Sequence, residues 1–99
     1  MSNRRNYKLE ALQEGKTIVT SETGNSMSPL INSKQEHKLE PIQWEDCEVN
    51  DIVYCRVRGN YYTHLVKAKS SEKGLLIGNN KGNINGWTKA VYGKVTEIY

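Results

Sequence analysis

Along this chain apolar residues come in short alternating runs, and nearly every run is closed by glycine, asparagine or proline. The segment KTIVTSE, residues 16–22, is rich in β-branched side chains and predicts a strand that ends at Gly24 and Asn25. Two stronger runs, DIVYCRVR and YYTHLVK, flank Gly59 and Asn60 and predict a hairpin with a two-residue loop. That loop pairs Arg58 with Tyr61, Val57 with Tyr62 and Cys55 with His64. His64 then shares one face with Val53, Cys55, Val57, Tyr62 and Val66. Further strands are expected at GLLI, residues 74–77, and at AVYGKVTEI, residues 90–98, whose internal glycine suits a bulge. The intervening GNNKGNING reads as turns, and residues 32–50 are polar, with a loop or a short strand around residues 39–42. Near the start, Tyr7, Ala11 and Leu12 fall on one face of a short helix or coil over residues 4–14. The pattern predicts a mainly β fold, with residues 1–15 as an N-terminal arm and residues 16–99 as the β domain.

Composition narrows this picture. Ninety-nine residues allow one domain, and six tyrosines and two tryptophans without a phenylalanine describe a folded unit with a polar surface. No apolar run approaches the ~20 residues of a membrane-spanning helix, and the first residues lack the apolar centre of a signal peptide. A cytoplasmic protein is the expectation. Cys47 and Cys55 lack a CxxC spacing, so reduced thiols are expected, with no metal and no cofactor. The net charge of +3 is dispersed, with Arg4, Arg5 and Lys8 interleaved with Glu10 and Glu14, which disfavours nucleic acid as a partner. His37, between Glu36 and Lys38, reads as a surface residue. Trp44 and Trp87 stand in polar segments, either as a partner-binding patch or as anchors that fold back on the sheet.

The chemistry concentrates in TGNSMSPLI, residues 23–31. A serine hydroxyl becomes a nucleophile only beside a base and near donors for an oxyanion. Ser26 has Gly24 before it, which leaves room for backbone N–H groups to face a carbonyl, and Pro29 after it, which stiffens the exit. The same residues also suit a plain tight turn.

This stretch resembles the Gly-x-Ser-Met-x-Pro motif of the superfamily that contains type I signal peptidases and the self-cleaving LexA-like repressors. EVNDIVYCRVRGNYYTHLVK is similar to that superfamily's next block, a Gly-Asp followed by a strand, a turn and a strand bearing the general base; Asp51 matches, and Asn50 replaces the glycine. Gly78 to Asn80 resembles its Gly-Asp-Asn block, and VYGKV its closing strand, so the likeness spans residues 16–98 in one order. The resemblance implies a small signal-peptidase/LexA-like β fold with Ser26 as nucleophile and His64 as base, as in the histidine-type members. Lys67 is the fallback base, on the face opposite His64. By the same likeness Asn79 or Asn80 orients the imidazole, and Gly24, Asn25, Met27, Pro29 and Asn80 surround the oxyanion and a peptide groove. Two departures stand out: Leu65 replaces the usual arginine, and Asn79 occupies the place of the orienting aspartate, where an amide cannot offset imidazolium charge. The implied function is hydrolysis of a peptide bond in a peptide or protein substrate. The alternative is a weakly active or inactive peptidase-fold protein, of the kind a phage or mobile element would encode, that binds and inhibits a protein partner.

Overall fold

A computed structural model describes residues 5–99; Arg4 of the basic arm lies outside the described residues. The β3–β4 hairpin (β3, Ile52–Val57; β4, Asn60–Ser70) forms the middle of the molecule. Around it lie α1 (Tyr7–Gln13), β1 (Ile18–Thr20), β2 (His37–Pro41), a 3-10 turn (Trp44–Asp46), β5 (Gly74–Gly78), β6 (Ile84–Thr88) and β7 (Val91–Ile98). All seven strands join one antiparallel sheet in the order β1-β2-β7-β3-β4-β5-β6. The mainly β expectation therefore holds, and none of the described helices is long and apolar enough to cross a membrane.

The hairpin differs from the sequence reading in its loop. Val57 pairs with Asn60, so Arg58 and Gly59 form the loop, and His64 lies opposite Val53 rather than Cys55. The reason is backbone sign: both loop residues have positive φ (51° and 84°), as a type I′ turn requires, and that turn favours glycine at its second position. The slip is two residues in the pairing, so faces are preserved. Val53, Cys55, Val57, Val66, Leu75, Ile77 and Val91 bury one side of the sheet with Cys47, and Tyr62 packs against them.

The other side is closed by α1. Leu12 is buried against Leu39 and Tyr54, with Leu9, Ile18, Tyr92 and Val95 around them. Asn6 caps the helix by accepting from the Leu9 N–H, and its amide donates to the Tyr54 hydroxyl. Tyr7, expected on the packed face, is exposed; Leu9 takes that role, because Leu9 and Leu12 lie three apart on a helix only seven residues long. The described part of the arm is thus packed into the domain. Leu12 also explains the glycine of β7: a Cβ at Gly93 would stand 3.0 Å from the Leu12 side chain. The neighbouring irregularity falls at Tyr92, since Tyr54 pairs with Gly93 and Cys55 with Val91.

The strand offered around residues 39–42 is β2, which begins earlier, at His37, and residues 84–88, read as turns in the Gly-Asn-rich stretch, form edge strand β6 on β5. Ile77 pairs with Gly86 and Gly78 with Ile84, which leaves Asn85 as the extra residue of a bulge.

Candidate active site

Ser26 stands on a turn whose neighbours anchor it. Met27 and Ile31 are buried with Leu65 beneath the turn, and the Ile31 N–H donates to the Met27 carbonyl (3.0 Å). Ser26 itself, between the exposed Asn25 and the buried Met27, remains at the surface. A second attachment comes from the β5–β6 turn: the Asn80 N–H donates to the Ser26 carbonyl (2.9 Å), and its side-chain amide to the Ser28 carbonyl (3.0 Å). Pro29 is exposed and follows a cis peptide bond.

β4 delivers His64. His64 is 7% exposed and stacks on Tyr62, with ring centroids 4.9 Å apart. Its Nε2 lies 3.1 Å from Ser26 Oγ. The other ring nitrogen, Nδ1, lies 2.7 Å from Asn85 Oδ1. A carbonyl oxygen only accepts, so Nδ1 carries the proton and Nε2 presents a lone pair to the serine hydroxyl. The three side chains form a continuous chain, Ser26–His64–Asn85.

The orienting residue is therefore neither Asn79 nor Asn80. Asn79 Oδ1 accepts from the Lys81 and Asn83 N–H groups (2.8 and 3.0 Å), and the Asn79 N–H donates to the Asn83 carbonyl. It shapes the turn that carries Asn85 back under the ring, while Asn80 holds the serine turn. Sequence reading missed Asn85 because Asn-Gly inside a Gly-Asn-rich segment signals a turn, and Ile84 and Trp87 are the only large apolar residues of β6.

Other residues fall less close to the chemistry. The Gly24 N–H donates to Ser33 Oγ (3.1 Å), which occupies it as an oxyanion donor. Lys67 extends over Gly78, so the partner of the Ser26 hydroxyl is His64. Trp44 packs back on the core beneath Lys89, whereas Trp87 on β6 is 38% exposed with Lys73 over its ring. The two tryptophans behave differently, one as an anchor and one as surface. The thiols are raised by burial, Cys55 to about 12 and Cys47 to about 11 with the Asp51 charge adding to the latter.

His37 is the clear correction. It is 1% exposed, because β2 begins there and turns it beneath the serine turn. Its Nδ1 donates to the Gln35 carbonyl (3.2 Å), and its Nε2 is buried without a partner. It helps line a cleft of about 30 Å³ that also touches Ser26, Glu22 and Thr63. Glu22 Oε2 accepts from both Lys8 Nζ (2.7 Å) and Thr63 Oγ1 (2.6 Å). Burial pushes the Glu22 carboxyl up, but those two bonds and the nearby positive charge outweigh it and hold the group below its ordinary value.

Comparison of the chain with protein-family models, with curated proteins and with solved structures gives no match, so geometry carries the reading of this site.

Proposed function

We propose that this protein is a serine acyl-transfer catalyst on peptide carbonyls, of the signal-peptidase/LexA-like kind that the sequence resembles. The observation that carries this reading is the Ser26–His64–Asn85 chain, with the hydroxyl at 3.1 Å from an imidazole nitrogen whose tautomer is set from behind. In that arrangement Ser26 Oγ attacks the carbonyl carbon as its proton passes to His64 Nε2. The C–N bond then breaks, the proton goes to the leaving amine, and water attacks the ester by the same route in reverse. The backbone N–H of Ser26 is the candidate donor for the oxyanion. A second feature supports the resemblance: Asn50, standing where those proteins have glycine, has φ 79°, in the left-handed region that favours glycine.

The second reading, a binding protein that has lost effective turnover, is favoured by one observation. The ring partner is a neutral amide, which orients imidazole but does not offset the charge it acquires. Covalent labelling by a small fluorophosphonate, read by intact mass, separates the two. Acyl-transfer chemistry predicts labelling that vanishes in Ser26→Ala and His64→Ala. Labelling no greater than in Ser26→Ala would leave the binding protein.

A further inference from the structure

Asn85 is followed by Gly86, the only Asn-Gly pair in the chain. Asparagine before glycine is chemically labile, because the unhindered glycine nitrogen can attack the side-chain amide carbon. In a regular strand the ladder opposes that attack. Here three features work the other way. Gly86 keeps its pairing with Ile77, but Asn85, whose side chain carries the carbon under attack, is the extra residue of a bulge on edge strand β6 and stands outside the regular pairing. Gly86 has φ 138°, a backbone setting reserved for glycine, and brings no side chain of its own beside the attacking nitrogen. Finally, the His64 Nδ1–H points at Asn85 Oδ1 from 2.7 Å, the oxygen on which negative charge develops during attack. The imidazole is thus placed as an oxyanion donor for the modification of its own partner. Asn85 is half-buried, so water can reach it.

We propose that Asn85 is a site of spontaneous deamidation, and that the product, an aspartate at position 85, gives His64 the carboxylate partner that the encoded chain lacks. The Gly86 nitrogen forms a bond to Asn85 Cγ and gives up its proton, and the Cγ–Nδ2 bond breaks to release ammonia. Water then opens the resulting five-membered imide. Attack at the backbone carbonyl gives the isoaspartyl chain, the usual major product of a free imide; attack at Cγ, whose oxygen is the one the His64 Nδ1–H faces, restores the backbone and leaves a carboxylate. One ammonia leaves and one water enters, with no oxidant or reductant. The chain Ser26–His64–Asn85 so becomes a Ser–His–carboxylate arrangement with age. Faster acyl transfer rests on the reading given above; the conversion itself does not.

The test incubates the purified full-length protein at mildly alkaline pH and maps its peptides over time, separating aspartate from isoaspartate. The gain sought is the small mass increase of one ammonia lost and one water gained at residue 85. Nitrogen-15 NMR titration of His64 runs on the same samples, with Asn85→Asp as the product standard. The expected result is that Asn85 converts ahead of every other asparagine, mainly to aspartate, and that the His64 titration moves upward in proportion to the converted fraction. His64→Phe, which removes the donor to Oδ1, slows the conversion. An Asn85 that keeps its amide while other asparagines convert, a product that is mainly isoaspartate, or a His64 titration that stays in place would each overturn the proposal. None of these readouts uses Ser26 chemistry, so absent fluorophosphonate labelling counts against the peptidase alone.

Discussion

A single oxygen atom separates two outcomes at residue 85. The Asn85 Oδ1 bond fixes the tautomer and aim of His64, but only a carboxylate would also stabilise the imidazolium that the proposed acyl transfer forms. Asn85→Asp is therefore expected to raise the fluorophosphonate labelling rate of Ser26 at least about tenfold, whereas Asn85→Leu lowers it by a similar factor. Stopped-time labelling with mass detection measures both. An unchanged rate in Asn85→Asp would show that charge behind the ring does not limit the step. At the thiols, burial leaves Cys47 and Cys55 protonated, with pKa values near about 11 and about 12. Native protein at pH 8 should resist iodoacetamide until denaturant is added. Alkylation of either thiol under native conditions would contradict their 0% exposure.

Between elements, close contacts decide more than propensity. Truncating Leu12 to alanine should destabilise the domain by about 2–4 kcal/mol, measured by urea unfolding, because that side chain fills the space over Gly93 and packs on Leu39 and Tyr54. A change under about 0.5 kcal/mol would mean that the helix is only loosely attached. Gly78→Ala tests the other end of the sheet. Its Cβ would fall 2.7 Å from the Asn83 carbonyl oxygen, so the β5–β6 hairpin must open and carry Asn85 off the ring. Both thermal stability and Ser26 labelling should fall. These contacts also explain what was legible in the sequence. Period-two runs such as DIVYCRVR revealed their strands and faces, and Ser26 and His64 stood out through residue order. Asn85 and His37 did not, since one sits in a strand written in turn residues and the other between two charges. Only tertiary pairing, of β6 with β5 and of β2 with β7, places them.

Across the molecule, Glu22 ties three regions together, joining Lys8 of α1 and Thr63 of β4 to the segment that leads into the serine turn. Its carboxyl is held below the ordinary value. The unfolded chain therefore binds its proton more readily than the native protein, and the stability Glu22 confers is present above the ordinary carboxylate range and lost as pH falls through the depressed native value. Glu22→Gln should lower stability at pH 7 by about 1 kcal/mol, a modest figure because the side chain is partly exposed, and should flatten the acid limb of a stability–pH curve. An acid limb identical to that of the parent would remove Glu22 from this role. The Asn80 clamp has a different consequence. Ser26 meets His64 38 residues away, and Asn80 grips the Ser28 carbonyl from 52 residues away, so no short fragment can assemble the Ser26–His64 pair by itself. Covalent capture of Ser26 becomes a reporter of the intact polypeptide: cleaving the backbone within residues 32–36 should silence it, and mixing the two pieces should restore it only to the extent that they reassociate.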